Sequence, residues 1–242
     1  MKEKLYTIPV NEAFEADCEC PVCMMYKSLE DNAIDFTMSP SYMEDDIRIA
    51  TSQMGFCQKH LEQLYKAQNR LGLALIIKSH MDTVINNVSK QTGSKLVPSF
   101  FKRKGDGASV VNYIDDLEDK CFVCDKIEGT FKRYIATIFH LYHTEGDFRR
   151  KFSASKGFCT SHYKVLYKAA PEYLGGEELN SFIKELNRLY IDNMKRVRDD
   201  LEWYINKFDY RYENEPWKNA KDALIRSVQK TNSIVIDQKA KS

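Results

Sequence analysis

"GFCQKHLEQLYKA" at residues 55–67 returns about a hundred positions later as "GFCTSHYKVLYKA" at residues 157–169. Eight of the thirteen positions agree, spelling Gly-Phe-Cys-x-x-His-x-x-x-Leu-Tyr-Lys-Ala. Coincidence does not produce agreement at that density, so the chain carries an internal duplication. Each copy is preceded by a Cys-x-x-Cys pair, "CPVC" with Cys20 and Cys23, and "CFVC" with Cys121 and Cys124. The first pairs are offset by 101 positions and the second motifs by 102, so two units of nearly equal length follow one another.

The residue types point to metal. A tetrahedral zinc site takes four sulfur or imidazole ligands, and two pairs, each with two residues between its members, let neighbouring side chains reach one ion. Cys57 and His60, like Cys159 and His162, stand three apart, which puts them on one side of a first helical turn. Gly55 and Gly157 permit a sharp entry, and the partial positive charge of a helix N-terminus favours the thiolate that binds metal. The expected ligands are Cys20, Cys23, Cys57 and His60 in the first half and Cys121, Cys124, Cys159 and His162 in the second. Zinc suits this Cys₃His set better than an iron–sulfur cluster, which more usually takes four cysteines. With all four positions filled by protein, two Zn²⁺ per chain would be structural, since a catalytic zinc keeps a position open. Phe56, Phe158, Tyr65 and Tyr167 repeat with the motif and are expected to cover the thiolates.

Other candidates carry less chemistry. Cys18 in "CECPVC" stands two residues before Cys20, where it could exchange for a ligand or sense oxidants, and a partly buried free cysteine is the plainer reading. His140 and His143 are three apart, but no cysteine or carboxylate pair is placed to complete a site with them or with His80.

Outward from the motif, the periodicity is helical. Leu64, Ala67, Leu71, Ala74, Ile77, Met81, Val84 and Val88 recur every three or four residues and predict one long helix from Cys57 to about Val88. Leu179, Phe182, Leu186, Leu189, Tyr190, Met194, Val197, Leu201, Tyr204, Ile205 and Phe208 predict a second of about thirty residues and about 45 Å. "SYMEDDIRIAT" predicts a helix opened by a Ser41–Glu44 capping box, "DKIEGTFKRYIATIFHLYH" another, and "EGDFRRKF" a short one capped by Thr144 and Asp147. Few segments alternate with period two. The expected fold is all-α, a helical bundle of two duplicated Cys₃His zinc-binding modules, each followed by a long helix. The first module spans 1–92 and the second 114–232, with a basic linker at 93–113 and a frayed tail at 233–242; a merged single domain is the alternative.

Composition narrows the function. The chain of 242 residues is long enough to bury a core, and 36 basic against 35 acidic side chains leave no global attraction to nucleic acid or anionic lipid. A local surplus lies between Lys90 and Gly107, where five basic residues meet one acid. Residues 95–104 are therefore the stretch through which nucleic acid would bind. "MKEKLYTIPVNEAFEAD" holds no apolar run of signal-peptide length, and no eighteen apolar residues follow one another. A cytoplasmic chain without a membrane partner is expected. Seven cysteines argue for reduced thiols rather than a disulfide framework. No P-loop, G-x-G-x-x-G, G-x-S-x-G or H-E-x-x-H motif occurs, so an enzyme is not expected.

The paired "CPVC…GFCQKH" and "CFVC…GFCTSH" units, with "KFDYRYENEPWKNAKDAL" after the second long helix, resemble an uncharacterised family of bacterial cytosolic proteins across nearly the whole chain. The resemblance implies no activity. The residues themselves support a non-enzymatic zinc protein that meets a protein partner. A nucleic-acid-associated regulator and a thiol or zinc redox sensor are the alternatives.

Overall fold

A computed structural model of the chain describes residues 4–92 and 106–236. Among them are eleven α-helices and no strand. In order these are α1 (Lys4–Glu15), α2 (Pro21–Met38), α3 (Asp45–Met54), α4 (Gln58–Lys66), α5 (Arg70–Thr92), α6 (Asp106–Glu118), α7 (Phe122–Thr144), α8 (Gly146–Ala154), α9 (Thr160–Tyr173), α10 (Gly176–Asn206) and α11 (Ala223–Asn232). Among the described residues no helix is long and apolar enough to cross a membrane.

The helices gather into two compact units, and these are not the two sequence halves. One comprises Met1–Ser28 with Phe131–Ser242, the other Leu29–Thr130. The boundaries fall inside α2 and α7, so each of these helices starts in one unit and finishes in the other.

The first unit is built on aromatic side chains. Phe139, Phe148, Phe152, Phe158 and Phe182 are fully buried, together with Leu141, Leu166 and Leu186. Phe14 of α1 meets the Phe148 ring at 4.9 Å, and Phe152 meets Phe158 at 5.4 Å and Phe182 at 5.3 Å. Tilted and edge-on pairs of this kind add to the area they bury. The α10 stripe holds as expected through Phe182, Leu186, Leu189 and Val197, all buried. Glu177 and Glu178 in its first turn face the positive end of its dipole. Past Val197 the stripe leaves the core, and Ile205 and Phe208 are exposed.

In the second unit α3 packs on α5 and α5 on α6, and Leu64, Leu73, Ile76, Val123 and Ile127 are buried. Here the single helix expected from Cys57 to Val88 is broken into α4 and α5. Gln68 takes a positive φ of 66° and the Asn69 side chain accepts from the Gly72 N–H at 2.9 Å, as an N-cap does. The periodic residues therefore do not share one face: Leu64 is buried, whereas Leu71 and Met81 are exposed.

Two expected caps are absent. The helix of "SYMEDDIRIAT" begins at Asp45, because Pro40–Met43 forms a 3₁₀ turn and the Ser41 hydroxyl donates to the Phe36 carbonyl instead. Thr144 donates back to the His140 carbonyl and α8 starts without a side-chain cap. Helix α1, which contains Pro9, was not anticipated by periodicity. Of the expected linker 93–113, residues 106–113 belong to α6, and the remainder, which includes the whole of the stretch 95–104, lies outside the described residues. Of the expected tail, residues 233–236 follow α11 without helix and 237–242 lie outside the described residues.

Candidate metal centres

Both cysteine-histidine turns are shaped by glycine. Gly55 has φ of 63° and Gly157 of 73°, the left-handed region that glycine enters without penalty. Each turn then delivers a cysteine to the N-cap of the next helix, Cys57 before α4 and Cys159 before α9. The C-x2-C pairs sit in the same way, with Cys20 and Cys121 immediately before α2 and α7 and Cys23 and Cys124 one turn in. Backbone N–H groups already point at sulfur: Cys23 N donates to Cys20 Sγ at 3.4 Å and His162 N to Cys159 Sγ at 3.5 Å.

All eight expected ligands come together, in exchanged pairs. Cys20 and Cys23 of the first half meet Cys159 and His162 of the second, while Cys57 and His60 meet Cys121 and Cys124. Within each quartet the ligand atoms lie within 4.8 Å of one another. The quartets expected within each half, Cys20/Cys23/Cys57/His60 and Cys121/Cys124/Cys159/His162, do not form. The reason is the helix that follows each C-x2-C pair. From Cys23, α2 carries the chain on for fifteen more residues, about 22 Å at 1.5 Å per residue. The next C-x2-H therefore folds in the unit where α2 ends. Helix α7 makes the reverse journey, and the duplicated lengths make the exchange reciprocal.

The geometry fits a tetrahedral ion. His162 Nδ1 lies 3.6, 3.3 and 3.1 Å from the sulfurs of Cys20, Cys23 and Cys159. His60 Nδ1 lies 3.3 Å from each of Cys57, Cys121 and Cys124. Metal–sulfur bonds of about 2.3 Å and metal–nitrogen bonds of about 2.0–2.1 Å place S and N about 3.6 Å apart at tetrahedral angles. The sulfur pair Cys23–Cys159 at 3.5 Å agrees as well.

Electrostatics favours a dication over bare thiols. In the second unit the Cys121 thiol is lowered to about 6: burial opposes ionisation, but the hydrogen bond with His60 and backbone donors outweigh it. Burial disfavours a charged His60 too, yet hydrogen bonds to Cys121 and to the Glu30 carboxylate raise it to about 9. Burial and the neighbouring Cys121 and Cys57 push Cys124 up to about 12. The first unit repeats the pattern. Cys159 is driven far down by hydrogen bonds from Cys20 and Cys23, Cys23 is pushed up to about 12 by its hydrogen bond with Cys159, and Cys20 is raised chiefly by burial. In each unit one thiol is favoured as the thiolate at its neighbours' expense, and a bound dication is the kind of partner that would let neighbouring thiols ionise together.

Two supporting shells differ, and sequence reasoning missed both. His60 Nε2 lies 3.2 Å from Glu30 Oε1, a buried carboxylate that also accepts from Lys59 at 2.6 Å and from Gln63 at 3.0 Å. A carboxylate placed so behind an imidazole is what orients a histidine that ligates a metal. His162 is instead flanked by the rings of Phe131 and Tyr26, with centroids at 5.8 and 6.3 Å. Helix α11 closes that centre. Ser233 Oγ lies 3.0 Å from Cys159 Sγ, and the Lys230 ammonium, 1% exposed, donates to the Glu19 carbonyl at 2.6 Å and to that of Lys156. The helical period of "ALIRSVQKTN" would place Lys230 on a face with Ala223, but nothing local marks a lysine for burial.

The remaining candidates fall outside the clusters. Cys18 donates to the Ala13 carbonyl at 3.7 Å, and burial raises its pKa. His80 contacts the Ser52 carbonyl at 2.8 Å, His143 pairs with Glu178 at 2.7 Å, and His140 is exposed. Phe158 is buried and Phe56 half-buried against Phe122, whereas Tyr65 and Tyr167 are 60% and 44% exposed.

Comparison with known families gives one result. The chain belongs to the family of unknown function DUF6062, whose model matches residues 1–238. No curated protein and no solved structure matches the chain.

Proposed function

We propose, for a member of a family without an assigned activity, that the two quartets each hold one zinc ion and that the ions are structural. The observation that carries this reading is the convergence of an imidazole nitrogen on three sulfurs at 3.1–3.6 Å in both units. Four protein ligands complete a tetrahedral shell and leave no position for substrate. Each ion would tie the N-termini of two helices that lie more than thirty residues apart in the chain. Structural zinc binds with an apparent free energy of about 10–16 kcal/mol, as large as the whole stability of a typical domain at about 5–15 kcal/mol.

The role that accords with this chemistry is a non-catalytic helical scaffold that meets another protein in a reducing compartment, the cytoplasm, where thiols stay free for metal. Its support is the saturated ligand sets and the exposed apolar side chains that α5 keeps at Leu71, Leu75, Met81 and Ile85. Elemental analysis of protein purified without added metal tests the zinc reading. Two zinc per chain is the expected result; iron, or no metal, would overturn it.

A further inference from the structure

The two centres share a ligand set but differ in how solvent reaches them. Cys20, Cys23, Cys159 and His162 are all buried. Around them Phe131 and Tyr26 present ring surface to the imidazole, and Ser233 and Lys230 of the C-terminal segment close over Cys159 and Glu19. In the other quartet Cys124 is exposed and Cys57 half-buried, with only Cys121 and His60 fully inside. The duplication makes the contrast pointed. Glu30 and Phe131 stand at equivalent positions, each ten residues after the first cysteine of its C-x2-C pair, and each lies against the histidine of its own sequence half, which belongs to the centre that pair does not serve. One copy has a carboxylate there, joined to Lys59, whose side chain is 60% exposed; the other has a hydrocarbon ring.

We infer that the Cys57/His60/Cys121/Cys124 centre is the reactive one of the two, a zinc–thiolate site that hydroperoxides oxidise at Cys124 with release of its metal, while the Cys20/Cys23/Cys159/His162 centre is shut. The inference rests on the zinc reading above. Exposure selects Cys124, because oxidation of a thiolate needs collinear approach of the peroxide to sulfur. The Cys124 sulfur gives an electron pair to one peroxide oxygen; the S–O bond forms as the O–O bond breaks, and the departing oxygen takes a proton and leaves as water. Cys121, the other member of the C-x2-C pair and within 4.8 Å, then attacks the sulfenic sulfur. The S–S bond forms, the S–O bond breaks, and the hydroxyl leaves with a second proton as water. Two thiolates lose two electrons and one hydrogen peroxide gains them. The quartet is left with Cys57 and His60, too few ligands to retain zinc against solvent. The reactive thiol is thus Cys124 rather than Cys18, the thiol that the sequence places beside Cys20.

The test uses the full-length, zinc-loaded chain treated with hydrogen peroxide, with a chromogenic chelator reporting free zinc and peptide mass mapping locating disulfides. One equivalent should be released with a Cys121–Cys124 disulfide, and the second should leave at least about tenfold more slowly, as expected for a buried, fully ligated site. Brief iodoacetamide treatment of the native protein should label Cys124 before any ligand of the other centre. Loss of both equivalents at one rate, a first disulfide that includes Cys20, Cys23 or Cys159, or retention of both equivalents in peroxide would each overturn the inference. Protein that carries no zinc before peroxide is added would remove the metal reading itself, whereas zinc retained in peroxide removes only the reactivity.

Discussion

A β-carbon on Gly157 would stand 2.7 Å from the backbone carbonyl oxygen of Leu189, inside contact distance of an atom that cannot rotate away. The glycine that opens the second cysteine-histidine turn is therefore fixed twice, by its φ of 73° and by the α10 backbone behind it. Its counterpart Gly55 faces the His80 ring at 2.7 Å, a side chain that can turn aside.

Gly157→Ala should accordingly destabilise more than Gly55→Ala. A left-handed alanine costs about 1–2 kcal/mol and overpacking against backbone about 1–3 more, so about 2–5 kcal/mol is expected at position 157. Position 55 should lose little beyond the first term. Urea denaturation of the zinc-loaded variants checks the order, and equal losses would show that α10 moves to make room.

The exchanged pairing makes a prediction about double variants. Cys20→Ser with Cys159→Ser removes two ligands of one centre and should cost one zinc per chain. Cys20→Ser with Cys57→Ser strikes both centres and should cost two. Quartets confined to each sequence half require the opposite result, so elemental analysis of the two proteins discriminates cleanly.

Glu30→Gln should weaken zinc at the Cys57/His60/Cys121/Cys124 centre by about 10–100-fold, the usual effect of losing the carboxylate behind a ligating histidine. Competition against a chelator of known affinity measures it, and the other centre should be unchanged. The Glu30 carboxyl is held down at about 2: burial works against ionisation, but hydrogen bonds from His60, Lys59 and Gln63 prevail. Its folded pKa is depressed, so its support is present above the ordinary carboxylate value and fades only as pH falls towards 2. Zinc loss at milder acidity is proton uptake by the ligands, and Glu30→Gln should move that loss to higher pH.

Lys230→Met should destabilise the first unit by about 1–3 kcal/mol, because the Glu19 carboxylate, 6% exposed, would lose a partner at 3.2 Å and the Glu19 and Lys156 carbonyls would lose their donor. Arg196 at 2.5 Å still pairs with that carboxylate and sets the lower end of the range. Thermal denaturation reports the loss, and zinc should exchange faster from the Cys20/Cys23/Cys159/His162 centre. A variant as stable as the parent would show that water replaces the ammonium.

Much of the fold was legible in the residues. Apolar spacing located α10 and the body of α7, and the repeated cysteines and histidines picked out all eight members of the two Cys₃His clusters. The break between α4 and α5 was missed because hydrophobic rhythm continues across it, although Asn69 three residues before Gly72 is a recognisable cap. Glu30 and Lys230 were missed because burial of a charge depends on partners distant in the chain, His60 for one and Glu19 for the other.

The sequence by itself determined the inventory: helices from periodicity, and two sets of soft ligands at spacings that suit one helical turn each. Only the tertiary structure decided which set joins which, because ligand spacing is a local property, while the path of α2 and α7 out of one unit and into the other arises from the packing of whole helices. The same packing sealed one centre under α11 and left Cys124 of the other in solvent.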